Sequence, residues 1–320
     1  MNMDSETEGE LYVGCAGGID TIGTFSPKYE DIADNMTAYR LFVKGLKGGH
    51  SGMDINLGHA NANKVLNTML LMAAEKYGLR LASIDGGSLR NAIPREAEAI
   101  VIVPADKQND FEQYAAEYEG IVKEEFAKVE PDAAILCEKA AMPKQVIDIE
   151  TQDQLFSAIA RYPNGVIAMS SDFEGTTETS SNLAIIKIEK GKAAFKILAR
   201  SSREDMKDYI VKTLESCFNM AGMKVETAGS YGGWDPNPDS EILHLLKKIY
   251  KEQNGEEAVV QVDHAGLECS IILGKYPGMD VVSLGPTIRS PHTTNERCQV
   301  STIEPFWKLL KQVLIEVPVK

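Results

Sequence analysis

The sequence has no apolar run near the roughly 18–20 residues needed to cross a bilayer, and no basic-then-apolar leader precedes the acids of its first ten residues. It has no C-x-x-C pair. Its five cysteines (Cys15, Cys137, Cys217, Cys269 and Cys298) are scattered and odd in number, which sets aside a disulfide framework and fits a reducing cytoplasm. It has no basic excess: 33 Lys and Arg stand against 47 Asp and Glu, a formal charge of -14. That argues against nucleic acid and anionic membrane surfaces as natural partners. There is no H-x-D and no H-E-x-x-H, and around His50 a G-x-S-x-G elbow would need glycine where Met53 stands. Low-complexity linkers and tandem repeats are missing too.

What is present is ordinary globular material, 43% apolar and 25% charged, in a 320-residue chain long enough for two domains. "YRLFVKG" (39–45) alternates like a strand. The stretch 59–78 carries Val65, Met69 and Met72 at helical spacing, with Gly78 as a stop. "LRLASID" and 97–103 predict two strands, and 106–128 predicts a helix. This order resembles half of a ferredoxin-like layer. A second series follows: "NLAIIKIE" and "AAFKILA" as a hairpin about 190–191, a helix with a capping box at Ser201 and Glu204, and the strand "MKVETAG". Residues 129–164 carry no clear pattern. After the Gly, Pro and Asp-rich "GGWDPNPDS" the spacing changes to helices alternating with short apolar strands: a helix over 240–253, strands at 259–262 and 279–285, and a last helix with a capping box at Ser301 and Glu304. That predicts a small parallel α/β sheet, to which residues 1–15 add one strand.

Five histidines narrow the search for chemistry. His292 follows an apolar strand, where open α/β sheets place their ligand sites, and a neutral imidazole suits zinc. Asp4 stands at another strand end, a short carboxylate of the kind that joins histidine on zinc. His50 lies among glycines in "KGLKGGHSG", which allow a sharp turn and a close ligand, so its ring can donate to a developing oxyanion. His59 and His244 sit within helical patterns as ordinary surface or boundary residues. His264 and Glu268 are four apart, as on one helix face, and read as a supporting pair. Asn91 and Arg200 end strand or turn segments, and Arg200 can grip a carboxylate with its fork.

Taken in order, "NMDSETEGE", "KGLKGGHSG", "LRNAIPREA", "HAGLEC" and "GPTIRSPHTTNE" closely resemble the aminoacyl-histidine dipeptidases (Xaa-His dipeptidases, or bacterial carnosinases) of the dizinc exopeptidase family, from residue 1 to 320. The resemblance implies an α/β catalytic domain interrupted by an α+β lid built of two ferredoxin-like halves, with residues 1–30 and 232–320 as catalytic portions and 31–231 as the lid. It implies two zinc ions with Asp4 and His292 among their ligands. It makes His50 the catalytic oxyanion donor, and Asn91, Arg200 and the Gly266 backbone the grip on the dipeptide's C-terminal end. A cytoplasmic location and a homodimer go with it. The family's H-x-D and its Glu-Glu pair have no counterpart here. The expectation is therefore that the chain begins inside the family sequence and is inactive alone. A non-catalytic binding or assembly module, and a related dizinc deacylase or carboxypeptidase, stand as alternatives.

Overall fold

The computed structural model describes residues 1–189, 191–237, 239–289 and 296–317. Among these, no helix is long and apolar enough to cross a membrane.

The alternation at 39–45 is realised as part of β3 (Met36–Lys44), whose Tyr39, Leu41 and Val43 all turn to one buried face. Helix α1 (Ala62–Tyr77) starts on Asn61, whose side chain takes the N–H groups of Asn63 and Lys64, and stops at Gly78 in the left-handed region. The strands β4 (Arg80–Gly86) and β5 (Ala97–Pro104), the helix α2 (Gln108–Glu125) and β6 (Ala134–Lys139) complete a first half. Its strand order, β4-β5-β3-β6, is ferredoxin-like.

The second half has the same order but not the expected boundary. Its strands are β2 (Gly17–Phe25), β8 (Thr177–Glu189), β9 (Lys192–Ser201) and β10 (Lys224–Tyr231), arranged β10-β2-β9-β8. Helices α3 (Ile149–Arg161) and α4 (Glu204–Met220) cover them, and α3 fills the stretch that carried no clear pattern. A short β7 (Gly165–Met169) pairs with the start of β8. The division expected at 30/31 thus falls after a strand that lies in this sheet. The first half is threaded into the second, between β2 and α3.

The halves join edge to edge. β8 and β4 pair antiparallel with Lys187 opposite Asp85, and the two side chains form an ion pair at 3.1 Å. Each half shifts register once between its second and third strands, at Leu81/Ser83 and at Leu183/Ile185, so the sheet is close to two-fold symmetric about that pair. Side chains on the helix-covered face form the main core. Tyr162, Phe195 and Phe218 meet there with ring centroids 4.7–6.3 Å apart. Asn61 and Asn63 both reach the Leu183 carbonyl, and the Asn182 side-chain amide donates to the Ala92 carbonyl at 2.8 Å, stitching the halves together.

The remaining part is the small parallel α/β unit expected. β1 (Glu10–Cys15) runs parallel to β11 (Val259–Asp263), and Ser283 bridges its other side. The stretch 279–285 forms no regular strand: Ser283 makes isolated bridges, antiparallel to Tyr12 and parallel to Asn2. Helices α5 (Glu241–Asn254) and α7 (Ile303–Glu316) enclose a core of Leu11, Val13, Leu246, Ile249, Val282 and Val313, while α6 (Glu268–Lys275) packs Cys269 with Cys15 and Trp234. Two expected capping boxes do not form. Ser201 ends β9 and spends its hydroxyl on Thr179 and on the Arg203 N–H, while α7 follows a short 3-10 turn with no side-chain cap.

Candidate active site

His50 rides a loop whose shape is set by glycine. Gly48 and Gly49 take φ values of 68° and 131°, which side chains disfavour. The turn lays Gly49 and His50 against Ile93 and Ala92, and the Ser51 N–H donates to the Asn91 carbonyl at 2.8 Å. Asn91 therefore stands beside His50. The loop is held at both ends by one buried carboxylate: Glu130 accepts the N–H of Lys47 at 2.7 Å and of Ala60 at 3.0 Å. Glu130→Ala leaves both donors without their acceptor. We expect it to lower stability by about 1–3 kcal/mol, read as a fall in the urea midpoint at unchanged slope.

The ring of His50 has a defined proton. Its Nδ1 accepts the backbone N–H groups of Gly52 and Met53 at 3.3 and 3.1 Å. In the neutral ring the hydrogen is therefore on Nε2. Nε2 lies 3.5 Å from a guanidinium nitrogen of Arg200. Both groups are donors, so neither satisfies the other. Burial first, and then the Arg200 charge, draw the His50 pKa below its ordinary value, with Asp54 opposing them.

Arg200 is only 4% exposed. It sits on β9, opposite Ser180 of β8 and Gly18 of β2, on the sheet face away from the helices. One amino group donates to the Tyr231 hydroxyl at 2.7 Å, while Nε has no partner. Tyr231 can lie over β2 because residue 18 is glycine: a Cβ there would fall 2.5 Å from its hydroxyl. The same ring packs against Gly266, where a Cβ would come within 2.8 Å. Through Tyr231, Arg200 and Gly266 thus share one corner.

His264 closes the arrangement. Its Nε2 is 2.7 Å from the Ser180 hydroxyl, and both residues are buried. Its carbonyl lies 2.3 Å from where a Gly52 Cβ would stand, so the His50 loop rests directly on it. Burial, with smaller effects from Arg200 and His50, pushes the His264 pKa down to about 3. Beside it, burial raises the Asp263 carboxyl. His264, Asp263 and Gly52, with Tyr12, Met53 and Thr177, line a cavity of about 170 Å³ between the sheet and the α/β unit.

Residues 43–130, most of the first half, match the family model described as a peptidase dimerisation domain. The whole chain is 39% identical over 320 residues to the cytosol non-specific dipeptidase of Escherichia coli (strain K12), covering 66% of that protein. It superposes on the crystal structure of aminoacylhistidine dipeptidase from Vibrio alginolyticus with a TM-score of 0.94 at 40% identity, covering all of this chain and 65% of that one. Along its whole length the chain is similar to these two dipeptidases. It spans slightly less than two thirds of the length of these two relatives.

Against the two-metal centre that the sequence resemblance implies, the described residues offer little. Residues 2–6 run beside 282–288, joined by the Asn2 N–H to Val282 and the Ile288 N–H to Glu6, at 2.9 and 3.0 Å. Asp4 is exposed on that segment. His292 lies outside the described residues. Among those described, no group of three or more His, Cys, Asp or Glu could hold a metal ion. They do not fit a two-metal centre by themselves.

The dipeptidase-family residues expected from the sequence divide cleanly. His50, Asn91, Arg200 and Gly266 come together, and among the described residues Asp4 belongs to no ligand cluster. His264 and Glu268 do not share a helix face: α6 begins at Glu268, whose carboxylate accepts from the Asn2 side chain at 3.2 Å. Ser180, Tyr231 and Glu130 were not legible. Their partners are 84, 31 and 70–83 residues away, and no local pattern marks them.

Proposed function

We propose that this chain carries the lid and substrate-gripping parts of a zinc-dependent hydrolase of Xaa-His dipeptides. The observation that carries the reading is the pair of convergent donors, the His50 Nε2–H and the buried Arg200 guanidinium, 3.5 Å apart with Arg200 Nε unpartnered. Two such donors suit a negative oxygen. On a dipeptide the candidates are the terminal carboxylate and the oxyanion of the attacked peptide carbonyl. Arg200, Asn91 and the Gly266 backbone fix the C-terminal end, which favours dipeptides over longer chains, and His50 donates to the oxygen as it gains charge. Asp4 and His292 are this chain's proposed zinc ligands, and zinc held with the help of further residues would supply an activated water. The sheet acts as a lid, since His50 reaches its place only while the loop rests on His264.

Two ligands do not hold a metal pair, so we expect no hydrolysis from these 320 residues alone. The test compares Xaa-His dipeptide and tripeptide hydrolysis, with zinc supplied, by this chain and by this chain joined to the additional third of the Escherichia coli relative. The joined protein should cleave dipeptides and spare tripeptides. Full activity in the short chain removes the proposed dependence on further ligands. Turnover of N-acyl amino acids or longer peptides instead points to a deacylase or carboxypeptidase, and carboxylate binding without hydrolysis in both forms points to a binding module. A cytoplasmic setting belongs to this reading. So does a homodimer, for which β4 is unavailable as an edge because β8 already occupies it, leaving β6 and β10 as the ends of the sheet.

A further inference from the structure

We infer that His264 is a positioning residue, a wedge from the α/β unit that holds the His50 ring and the Arg200 guanidinium at the spacing where one oxygen can take both donors. The inference deepens the reading above and rests on it for its functional meaning, but not for its test.

The need for a wedge follows from the pair itself. Two donors 3.5 Å apart, one of them a buried cation, gain nothing from each other. Left alone, the guanidinium would turn toward water or another acceptor, since its Nε is already short of one. Something must keep both in place before a ligand arrives. His264 is the residue placed to do so from both sides. Its ring bonds Ser180, which lies directly opposite Arg200 in the β8–β9 ladder, so the contact acts on the strand position next to the guanidinium. Its carbonyl carries the loop at Gly52, whose N–H is one of the two that orient the His50 ring. One side chain and one carbonyl of the same residue thus touch the supports of both donors. Those supports belong to different halves of the sheet.

The groups facing this ring agree with the role. Arg200 and His50 act on it, and Asp263 precedes it in the chain. A charged imidazole beside Arg200 would repel it, so the wedge works only as a neutral ring, and burial keeps it neutral. Removing the wedge should admit water and let Arg200 relax. Both changes weaken the influences that depress His50, so its titration should move upward.

The experiment is a nitrogen-detected NMR titration of the histidines in the full 320-residue chain, in the wild type and in Ser180→Ala, His264→Ala and His264→Gln, with acetate binding measured on each. In the wild type, His264 should stay neutral at pH 5. In Ser180→Ala and His264→Ala, His50 should titrate at higher pH and acetate should bind at least about tenfold more weakly, the loss of roughly one hydrogen bond's worth of affinity. His264→Gln keeps a donor for Ser180 and should bring both readouts back toward the wild type. If the role were only structural, both readouts would follow the melting temperature of each variant and not the presence of that donor. The proposal is overturned by a wild-type His264 that charges near pH 6.5, a result that needs no variant to fold. It is equally overturned if the substitutions leave the His50 titration unmoved. A wild type that binds no acetate, but whose His50 still shifts in the variants, instead sinks the carboxylate-gripping reading and leaves the positioning role standing.

Discussion

His50→Ala should lower kcat by about 10²–10³-fold, with KM nearly unchanged, in the zinc-loaded joined protein that cleaves Xaa-His dipeptides. The size is that of removing one preorganised donor from a developing oxyanion, about 3–4 kcal/mol. The direction follows from how the ring is held. Two backbone N–H groups occupy Nδ1, so the single available hydrogen is fixed on Nε2 and aimed at the point where Arg200 also converges. A donor fixed before the substrate arrives is strengthened as the carbonyl oxygen gains charge, and it contributes little to the neutral ground state. That difference appears in kcat. Arg200→Ala should behave otherwise. Its charge meets a carboxylate that is fully formed in the ground state, so KM should rise strongly, and the distinction between the two variants is itself a test. If His50→Ala instead raised KM and spared kcat, the ring would be gripping the substrate's end, and the oxyanion role would pass to another group.

Much of this corner was legible because its residues lie in short motifs with local causes. "KGLKGGHSG" must turn sharply, and Gly48 and Gly49 do so. Arg200 ends a strand, which is where a fork can leave a sheet face. The first ferredoxin-like half was readable because its strands and helices alternate within about one hundred residues and pair with near neighbours. The second half was not. "GGIDTIGTF" has three glycines among nine residues, and its partners β9 and β10 come some 170–210 residues later. Nothing local shows that a strand so weak in propensity belongs to a sheet completed so much further along. The two capping boxes failed for the opposite reason. The local signal was strong, but the Ser201 hydroxyl was taken by Thr179 across the ladder. The Ser180–His264 contact is invisible to any spacing argument. It joins the sheet to a loop of the α/β unit and depends on Gly52 leaving room for a carbonyl.

That same contact sets the second large expectation, a loss of stability on acidification that His264→Gln should remove. His264 is buried, and its pKa is pushed down to about 3, against an ordinary value near 6.5 in the unfolded chain. Between those two values the unfolded state binds a proton that the folded state refuses, so stability must fall as pH falls. The contribution is complete above about pH 6.5, begins to disappear below it, and is exhausted only near pH 3. At pH 4 the arithmetic gives a loss of about 3 kcal/mol from this one ring. His50, depressed in the same direction, adds to it. Carboxylates also titrate in this range, so the measurement is a difference: unfolding free energies by urea at pH 7 and pH 4 for the wild type and for His264→Gln. The wild type should lose about 3 kcal/mol more than the variant over that interval. Equal losses would mean that His264 takes up its proton in the folded chain, against the burial of its ring and the Arg200 charge that acts on it.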